Sequence, residues 1–361
     1  MTERLRLLMT LDAVGGVWRY AMDLAGALRG SGVETVFLGF GPAPSDRQRA
    51  EAEALGPLDW AEAPLDWLAE DEAALARVPA LIDEAAGRHG VDLLHLNLPT
   101  QAAGLETDRP VLVVSHSCVT TWFRAVRGMG LPTGWEWQGD LNARGLARAD
   151  LIVAPSQSHA EALRACYGPL PRLRVVLNAI NAPEPNRLPE KPVVIAAGRW
   201  WDEGKGGAVL DAAAELTNWP VRMLGPTQGP NGAAFTAEAA TADGEVPHPQ
   251  AVALMREAGI FVSPSIYEPF GLAVGEAARM GLPLVLSDIP TFRELWVDVA
   301  VFVPPRDAEA LAFALDRLAS DPHKRQRLGE AARQRSRRYT GEAQAKAMLS
   351  LYEGLVPVSA R

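Results

Sequence analysis

Two glutamates separated by seven residues stand out in the second half of the chain. Glu268 and Glu276 belong to the stretch SPSIYEPFGLAVGEAARMG, and Pro269 directly follows the first of them. Because a residue before proline is disfavoured in a helix, Glu268 is predicted to lie in a loop. The run GIFVSPS before it is typical of a buried strand, and LAVGEAARMG of a helix that ends at Gly281. One carboxylate therefore precedes a helix, and the other lies about one to two turns inside it.

The start of that predicted helix adds a third chemical group. The first backbone N–H groups of a helix have no partner within the helix, and they bind phosphate readily. Carboxylate, amides and carboxylate match the order of sugar, diphosphate and ribose in a sugar nucleotide. The structural alternative is that Glu268 caps the helix or pairs with an arginine, while Glu276 is an exposed helical residue. Together, with the Pro-Phe-Gly insert between them, the two glutamates favour the ligand-binding interpretation.

Two cations follow another predicted strand. Arg199 and Lys205 lie in the glycine-rich stretch GRWWDEGKGG, directly after the apolar run VVIAA. Lysine is scarce, with four in the chain, so its use at position 205 indicates a specific role. Arginine presents a fork of donors and lysine a compact charge, and together they can neutralise a diphosphate without a metal. The alternative is a solvated loop with two surface cations.

The first half of the chain offers weaker signals. Gly15 and Gly16 follow the first apolar run, and paired glycines before a helix let the backbone approach an anion. They do not form the G-x-G-x-x-G fingerprint of dinucleotide binding, and a tight turn without a ligand is the alternative. His116 ends the run PVLVVSH, where a structural histidine and a ligand-facing one are both consistent with the pattern.

These residues need elements that gather them. Short apolar runs alternate with alanine-rich helical segments, which is typical of parallel sheets covered on both faces. The pattern restarts after the proline-rich segment NAPEPNRLPEKP, residues 181–192. We therefore predict two doubly wound domains, residues 1–182 and 190–335, and a last helical segment, 336–361, that packs back on the first domain. Ligands bind beyond the carboxyl ends of such strands, so we expect the site in a cleft between the two domains.

Composition limits the function classes. The 361 residues are 48% apolar and 22% charged with a net charge of −9, which indicates a folded protein and excludes a nucleic-acid partner held by a broad basic field. Cys118 and Cys166 have no metal-ligand spacing and favour a reducing compartment. The N-terminal apolar run is short and interrupted by Asp12, which fits neither a signal peptide nor a transmembrane helix. A cytoplasmic protein is the expectation.

The stretch E-PFGLAVG-E resembles the E-x7-E motif of the retaining glycosyltransferases of family 4. That family has the GT-B fold of two facing Rossmann-like domains with a cleft between them, and it uses nucleotide sugars. The resemblance extends over nearly the whole chain, through the Gly15-Gly16 loop, the histidine of SHS, LNAIN, GRWWDEGKGG and a late FVPPRD. The family commonly has Asn-Gly and an acidic residue where this chain reads VLNAIN, so no role is assigned to Asn178 or Asn181.

The resemblance implies a role for each matching residue. Arg199 and Lys205 would hold the donor diphosphate and stabilise the leaving group. Glu268 would bind hydroxyls of the transferred sugar, and Glu276 those of the ribose. His116 would lie against the sugar. The implied catalytic residues are His116, Arg199, Lys205 and Glu268. The implied donor-binding residues are Gly15, Gly16, Arg199, Lys205, Glu268, Phe270, Gly271, Leu272 and Glu276.

The resemblance also implies a reaction. A hexose would pass with retention of configuration from a nucleoside diphosphate sugar, with UDP favoured and GDP as the alternative, to a hydroxyl of a glycan, a lipid-linked compound or a small molecule. No metal or other cofactor is expected. The alternatives are a non-catalytic nucleotide-sugar-binding protein and an NAD-dependent oxidoreductase on paired Rossmann domains. An epimerase or a phosphorylase of the same fold would be distinguished from a glycosyltransferase by its products.

The acceptor site is predicted in the first domain, near an aromatic and basic stretch. The segment TTWFRAVRGMGLPTGWEWQGD contains Trp122, Phe123, Trp135 and Trp137 together with two arginines. These rings could stack on sugars, or enter a bilayer interface beside a lipid-linked acceptor at the inner face of the membrane. Packing in the core is the third interpretation and is slightly favoured.

Overall fold

The computed structural model describes residues 4–184 and 191–356 and divides the chain into two compact units. The first comprises the chain up to Ala179 and again from Gly341, and the second comprises Ile180–Thr340. The predicted boundaries at 182 and 336 therefore need correction by a few residues. Part of the proline-rich segment, residues 185–190, lies outside the described residues.

The first unit is a parallel sheet with helices. Its strands are β1 (Leu5–Asp12), β2 (Val33–Phe40), β3 (Leu58–Trp60), β4 (Leu93–Leu96), β5 (Val111–Val114), β6 (Leu151–Ala154) and β7 (Leu173–Val175). Its helices are α1 (Gly16–Leu28), α2 (Asp46–Glu53), α3 (Val78–His89), α4 (Val119–Trp122) with a π-helical turn Phe123–Arg127, α5 (Glu136–Arg148), α6 (Gln157–Tyr167) and α13 (Gly341–Leu355). Its 3-10 turns are Arg29–Ser31, Asp66–Leu68, Ala73–Leu75 and Pro99–Ala102.

The second unit repeats this plan. Its strands are β8 (Lys191–Ala197), β9 (Val221–Leu224), β10 (Thr241–Gly244), β11 (Ala258–Ser263), β12 (Leu284–Ser287) and β13 (Ala300–Val303). Its helices are α7 (Gly207–Leu216), α8 (His248–Met255), α9 (Leu272–Arg279), α10 (Pro290–Trp296), α11 (Ala308–Ala319) and α12 (Pro322–Ser336), with a 3-10 turn Glu203–Lys205. None of the helices in the described residues is both long enough and apolar enough to cross a membrane.

Both sheets are wound in the same way. The strand order is β3-β2-β1-β4-β5-β6-β7 in the first unit and β10-β9-β8-β11-β12-β13 in the second, and all paired strands are parallel. The order reverses between β1 and β4 and between β8 and β11, and such switch points open a crevice at the carboxyl ends of the strands. The prediction of two doubly wound Rossmann-like domains is confirmed.

The apolar runs form strands because both faces of each sheet are covered. All four residues of β5 and all six of β11 are buried, as expected for central parallel strands. On one face of the first sheet, α1 and α13 share a core that includes Trp18, Met22, Met348 and Tyr352. The last helix thus belongs to the first unit.

The aromatic stretch of the first unit is only partly core, since Trp137 packs against the core of that unit and Trp135 does not. The Trp135 side chain is exposed, and Met129 in the same stretch is 54% exposed. Trp122, Phe123 and Trp137 are half-buried. The core interpretation is therefore wrong for Trp135, because this segment forms a short helix, a π-helical turn and a loop on the surface rather than an element packed beneath the sheet.

Candidate active site

The loop after β8 places two cations at the carboxyl edge of the second sheet. Arg199 lies two positions beyond the end of the strand, and Lys205 ends the following 3-10 turn. The Asp202 carboxylate caps this turn by accepting from the Gly204 N–H at 2.9 Å, and it lies 3.4 Å from the Arg199 guanidinium. That guanidinium also lies 5.3 Å from the centre of the Trp201 ring. The Arg199 side chain is therefore fixed by local contacts, so this loop is not simply a solvated segment with two surface cations.

Lys205 contacts Glu268 directly. The Lys205 Nζ lies 2.5 Å from Glu268 Oε2, and the two side chains are only 18% and 15% exposed. Glu268 stands in the loop after β11, the strand next to β8 at the switch point. The strand order thus joins two residues that the sequence separates by 63 positions.

Close approach of the two loops depends on Gly206. Its φ is +70°, and a Cβ atom added there would lie 2.3 Å from the carbonyl oxygen of Pro264. The Ile266 N–H donates to the Gly204 carbonyl at 2.8 Å in the same contact. Because only glycine fits both the left-handed backbone and the space, Gly206 sets the position of Lys205 relative to Glu268.

The N-terminus of α9 follows Glu268 after a tight turn. Gly271 is its N-cap residue with φ +91°, and Leu272 is the first helical residue. A Cβ on Gly271 would lie 3.2 Å from the Glu268 side chain. The first backbone N–H groups of α9 have no partner within the helix and can receive an anion here. The predicted loop-then-helix arrangement around the two glutamates is correct.

Phe270 requires a correction. Its side chain is only 3% exposed and packs edge to face against Tyr339, with ring centres 5.8 Å apart. The ring therefore belongs to the core of the second unit, and any part in donor binding falls to its backbone. Trp200 is buried in the same way, and its indole N–H donates to the Leu224 carbonyl.

Glu276 is held by a histidine that sequence reasoning missed. The carboxylate is in the second turn of α9 and is 8% exposed, so the alternative of an exposed helical residue is wrong. Its Oε1 lies 2.7 Å from Nε2 of His248, the first residue of α8. The available signal was a histidine between two prolines at a helix start.

In the first unit, Gly15 and Gly16 open a helix as predicted. Gly15 is the N-cap of α1 and Gly16 its first residue. The Asp12 carboxylate accepts from the Val14 N–H at 2.9 Å and fixes the turn between β1 and α1. The helix N-terminus thus follows β1 directly, at the carboxyl edge of the first sheet.

His116 follows β5 and is part of a buried polar cluster. Its Nε2 lies 2.8 Å from Asn97 Oδ1, and its ring packs edge to face on Tyr20 at 4.3 Å. Burial, with a smaller contribution from the neighbouring His95 and His159, lowers the pKa of His116 to about 3. The imidazole is therefore neutral at physiological pH. Asn97 and His95 were missed, although the polar letters in LLHLN at the end of a buried strand were a signal.

Two family models match the chain. The model described as Glycosyltransferase Family 4 matches residues 14–183, and the model described as Glycosyl transferases group 1 matches residues 233–335. The first match covers the first unit and ends four residues into the second, the second match lies within the second unit, and together they cover most of the chain.

Relatives and solved structures agree with these models. A D-inositol 3-phosphate glycosyltransferase from Xylanimonas cellulosilytica is 31% identical over 240 residues, which is 57% of each chain. The chain spans about half the length of the curated relatives it matches, or less. Sucrose-phosphate synthase from Thermosynechococcus elongatus has a TM-score of 0.81 at 21% identity, over 98% of this chain and 99% of that one. Anabaena HepE, solved with UDP and glucose, has a TM-score of 0.74 at 18% identity, over 98% and 100%.

The fold and its structural neighbours define the class of protein. Two doubly wound units with neighbours of this kind are the GT-B fold of glycosyltransferases. With both family models matched in order along the sequence, the chain belongs to family 4 of the glycosyltransferases. This membership argues against the NAD-dependent oxidoreductase. The roles of single residues stay predictions.

Proposed function

We propose that the protein transfers a hexose from a nucleoside diphosphate sugar to a hydroxyl group, with retention of the anomeric configuration and without a metal ion. The observation that carries this proposal is the contact of Lys205 with Glu268 beside the N-terminus of α9. A cation, a carboxylate and free backbone amides lie within one short stretch of the second sheet's carboxyl edge. Diphosphate and sugar hydroxyls are ligands that suit these three groups together.

The proposed reaction breaks the bond between the anomeric carbon and the phosphate oxygen. Negative charge then develops on the departing diphosphate, where Arg199, Lys205 and the N-terminus of α9 stabilise it. The acceptor hydroxyl attacks the anomeric carbon from the face that the phosphate leaves, and its proton passes to the phosphate oxygen. Loss of one such donor typically raises the barrier by about 2.7 to 4 kcal/mol.

The ligand-free contact between Lys205 and Glu268 gives each residue a resting partner. Both side chains are largely buried, so each would be costly to leave without a partner of opposite charge. In the proposed complex, the diphosphate replaces Glu268 as the partner of Lys205, and sugar hydroxyls become the donors to Glu268. Glu276 binds the ribose hydroxyls, and His248 orients its carboxylate.

UDP is the proposed nucleotide. Support comes from the structure of HepE with UDP and glucose, a protein of the same fold. A GDP sugar is the second candidate. We propose that the acceptor binds to the first unit, where exposed Trp135 and half-buried Trp122 offer surfaces for stacking on a sugar or for contact with a membrane interface. The proposed compartment is the cytoplasm, because both cysteines are free thiols.

A donor screen and three variants test the proposal. UDP, GDP and ADP sugars are compared by thermal shift, since a ligand at a hundredfold excess over Kd stabilises the folded state by about 2.7 kcal/mol. Arg199→Ala should lower turnover about a hundredfold or more and leave the unfolding temperature almost unchanged. Lys205→Ala should lower turnover at least as much and also lower the unfolding temperature, because the largely buried Glu268 carboxylate loses its partner. Lys191→Ala is the matched control, because it breaks an exposed ion pair with Glu257 at 2.7 Å.

Two results would contradict the proposal. If both site variants keep near-normal transfer, the assignment of the leaving-group cations is wrong. If a nucleotide sugar binds but no acceptor is ever glycosylated, the chain is a nucleotide-sugar-binding protein instead. Retention is checked separately from the anomeric coupling constant of the product.

A further inference from the structure

Asn97 lies at the switch point of the first sheet, directly after β4, and is 1% exposed. Its side-chain Nδ2 donates to the Thr10 carbonyl at 2.6 Å, and its backbone N–H donates to the Thr10 hydroxyl at 2.8 Å. A carbonyl oxygen only accepts hydrogen bonds, so the nitrogen of the Asn97 amide must face Thr10. The amide oxygen is therefore fixed on the opposite side.

Two histidines contact that oxygen. Asn97 Oδ1 lies 2.8 Å from Nε2 of His116 and 3.2 Å from Nε2 of His95. An amide oxygen cannot donate, so both Nε2 atoms must carry the hydrogen. In a neutral imidazole the other nitrogen, Nδ1, then holds a lone pair and only accepts.

The partner of His95 agrees with this assignment. Its Nδ1 lies 2.7 Å from the hydroxyl of Tyr352 in α13, and that hydroxyl can donate to a lone pair. The Tyr20 hydroxyl lies 3.4 Å from the protonated Nε2. A chain of hydrogen bonds thus runs from the last helix through His95 and Asn97 to His116.

The Nδ1 of His116 differs from that of His95. Within the described part of the first unit it has no hydrogen-bond partner, and the residue is half-buried at the end of β5. The titratable groups that face this ring are His95, His159 and Tyr20, and burial keeps the ring neutral. What His116 presents beside the carboxyl end of β5 is therefore a single acceptor.

We propose that Asn97 is a positioning residue that holds His116 in the Nε2–H tautomer, so that Nδ1 accepts a hydrogen bond from a hydroxyl of the bound sugar. The inference rests on the proposed function in one respect, which is that the ligand is a sugar. It adds that the hydroxyl must act as the donor in this contact. Asn97 acts only through His116 and does not touch the sugar.

The tautomer is tested without any ligand. Protein labelled with ¹⁵N-histidine is examined by two-bond ¹H–¹⁵N correlation at pH 7.5, and the His116 signals are assigned by their loss in His116→Gln. The expected spectrum shows a protonated Nε2 and an unprotonated Nδ1. A protonated Nδ1 in the wild-type protein overturns the inference, whatever the transfer assays show.

Asn97→Asp tests the positioning role. A carboxylate beside His116 favours the imidazolium, so its ring should acquire a proton on Nδ1 between pH 8 and pH 5.5. Donor kcat/KM should then fall about threefold to tenfold across this range relative to wild type, because Nδ1 no longer accepts. Asn142→Asp is the matched control, since Asn142 is equally buried in the same unit and, among the described residues, its side chain bonds only to the Gln138 carbonyl. An unchanged His116 titration in folded Asn97→Asp overturns the positioning role.

The sugar contact is tested with UDP-glucose and with UDP. UDP-glucose should shift the Nδ1 resonance of His116 in the direction expected when Nδ1 accepts a hydrogen bond, and UDP alone should not shift it. Calorimetry under the same conditions measures whether each ligand binds. If UDP-glucose binds while this resonance stays in place, the inference fails and the proposed function stands. If the variant does not fold, the wild-type spectra still decide the result.

Discussion

Gly206→Ala should damage the site more than its size suggests. At φ +70° an alanine costs about 1 to 2 kcal/mol relative to glycine. The new Cβ would also lie 2.3 Å from the Pro264 carbonyl oxygen, whereas ordinary contacts begin at 3.4 Å. The loop that carries Lys205 must therefore move away from the Glu268 loop by about 1 Å.

The expected effect on function follows from that displacement. A shift of about 1 Å in a positioning group can reduce a rate about a hundredfold. Loss of a charge-assisted hydrogen bond from Lys205 should also raise the Kd for UDP about tenfold to a hundredfold. The structural cost alone should lower the unfolding temperature by only a few degrees.

Gly207→Ala is the matched control at the next position. Gly207 is the first residue of α7, and a Cβ there would lie 3.4 Å from Phe235 and Trp200, which is an ordinary contact. Alanine in a helix is favoured over glycine by up to about 1 kcal/mol, so this variant should keep stability and activity. The assays are calorimetry with UDP, initial rates of donor consumption and thermal unfolding. A folded Gly206→Ala protein with wild-type Kd and rate would refute the argument, as would an equal loss in Gly207→Ala.

Three further predictions concern other parts of the site and its surroundings. His248→Ala removes the donor to Glu276 and should raise the Kd for UDP about tenfold with little change in kcat. His323→Ala, at an exposed histidine, is the control, and equal Kd values for the two variants would show that the contact of His248 with Glu276 has no role in UDP binding. Burial lowers the pKa of His159 to about 4, so between pH 6.5 and 4.5 the unfolded chain binds protons that the folded chain does not, and stability falls as the pH falls. His159→Gln should remove up to about 1.4 kcal/mol per pH unit of this dependence in urea unfolding. Treatment with EDTA should leave the transfer rate unchanged, and a loss restored by Mg²⁺ would disprove metal independence.

The positions of residues that lie next to the end of a predicted strand could be predicted from the sequence. Arg199, Lys205, Glu268 and Glu276 each follow or flank a recognisable apolar run, and parallel strands bring their carboxyl ends to one edge. The positive φ of Gly271 was consistent with its place between a loop and a helix. These features depend on local pattern, which a single sequence contains.

Contacts between distant segments could not be predicted in the same way. The Asn97 contact with His116 and the His248 contact with Glu276 depend on strand order and on side-chain rotation. Phe270 shows the same limit, because the motif identified its position but not the direction of its ring. Trp135 was misjudged for the opposite reason, since an apolar residue in a short surface segment has no periodicity to reveal its exposure.

The position of α13 has a consequence for synthesis. The chain leaves the first unit at Ala179, and the helix that completes its core, with Met348 and Tyr352, begins only at Gly341. At 5 to 20 residues per second, a nascent chain would wait roughly ten to forty seconds for this helix. During that interval the apolar face of α1 lacks its cover and His95 lacks the Tyr352 hydroxyl. The half of the protein that emerges first from the ribosome is therefore the half that finishes folding last.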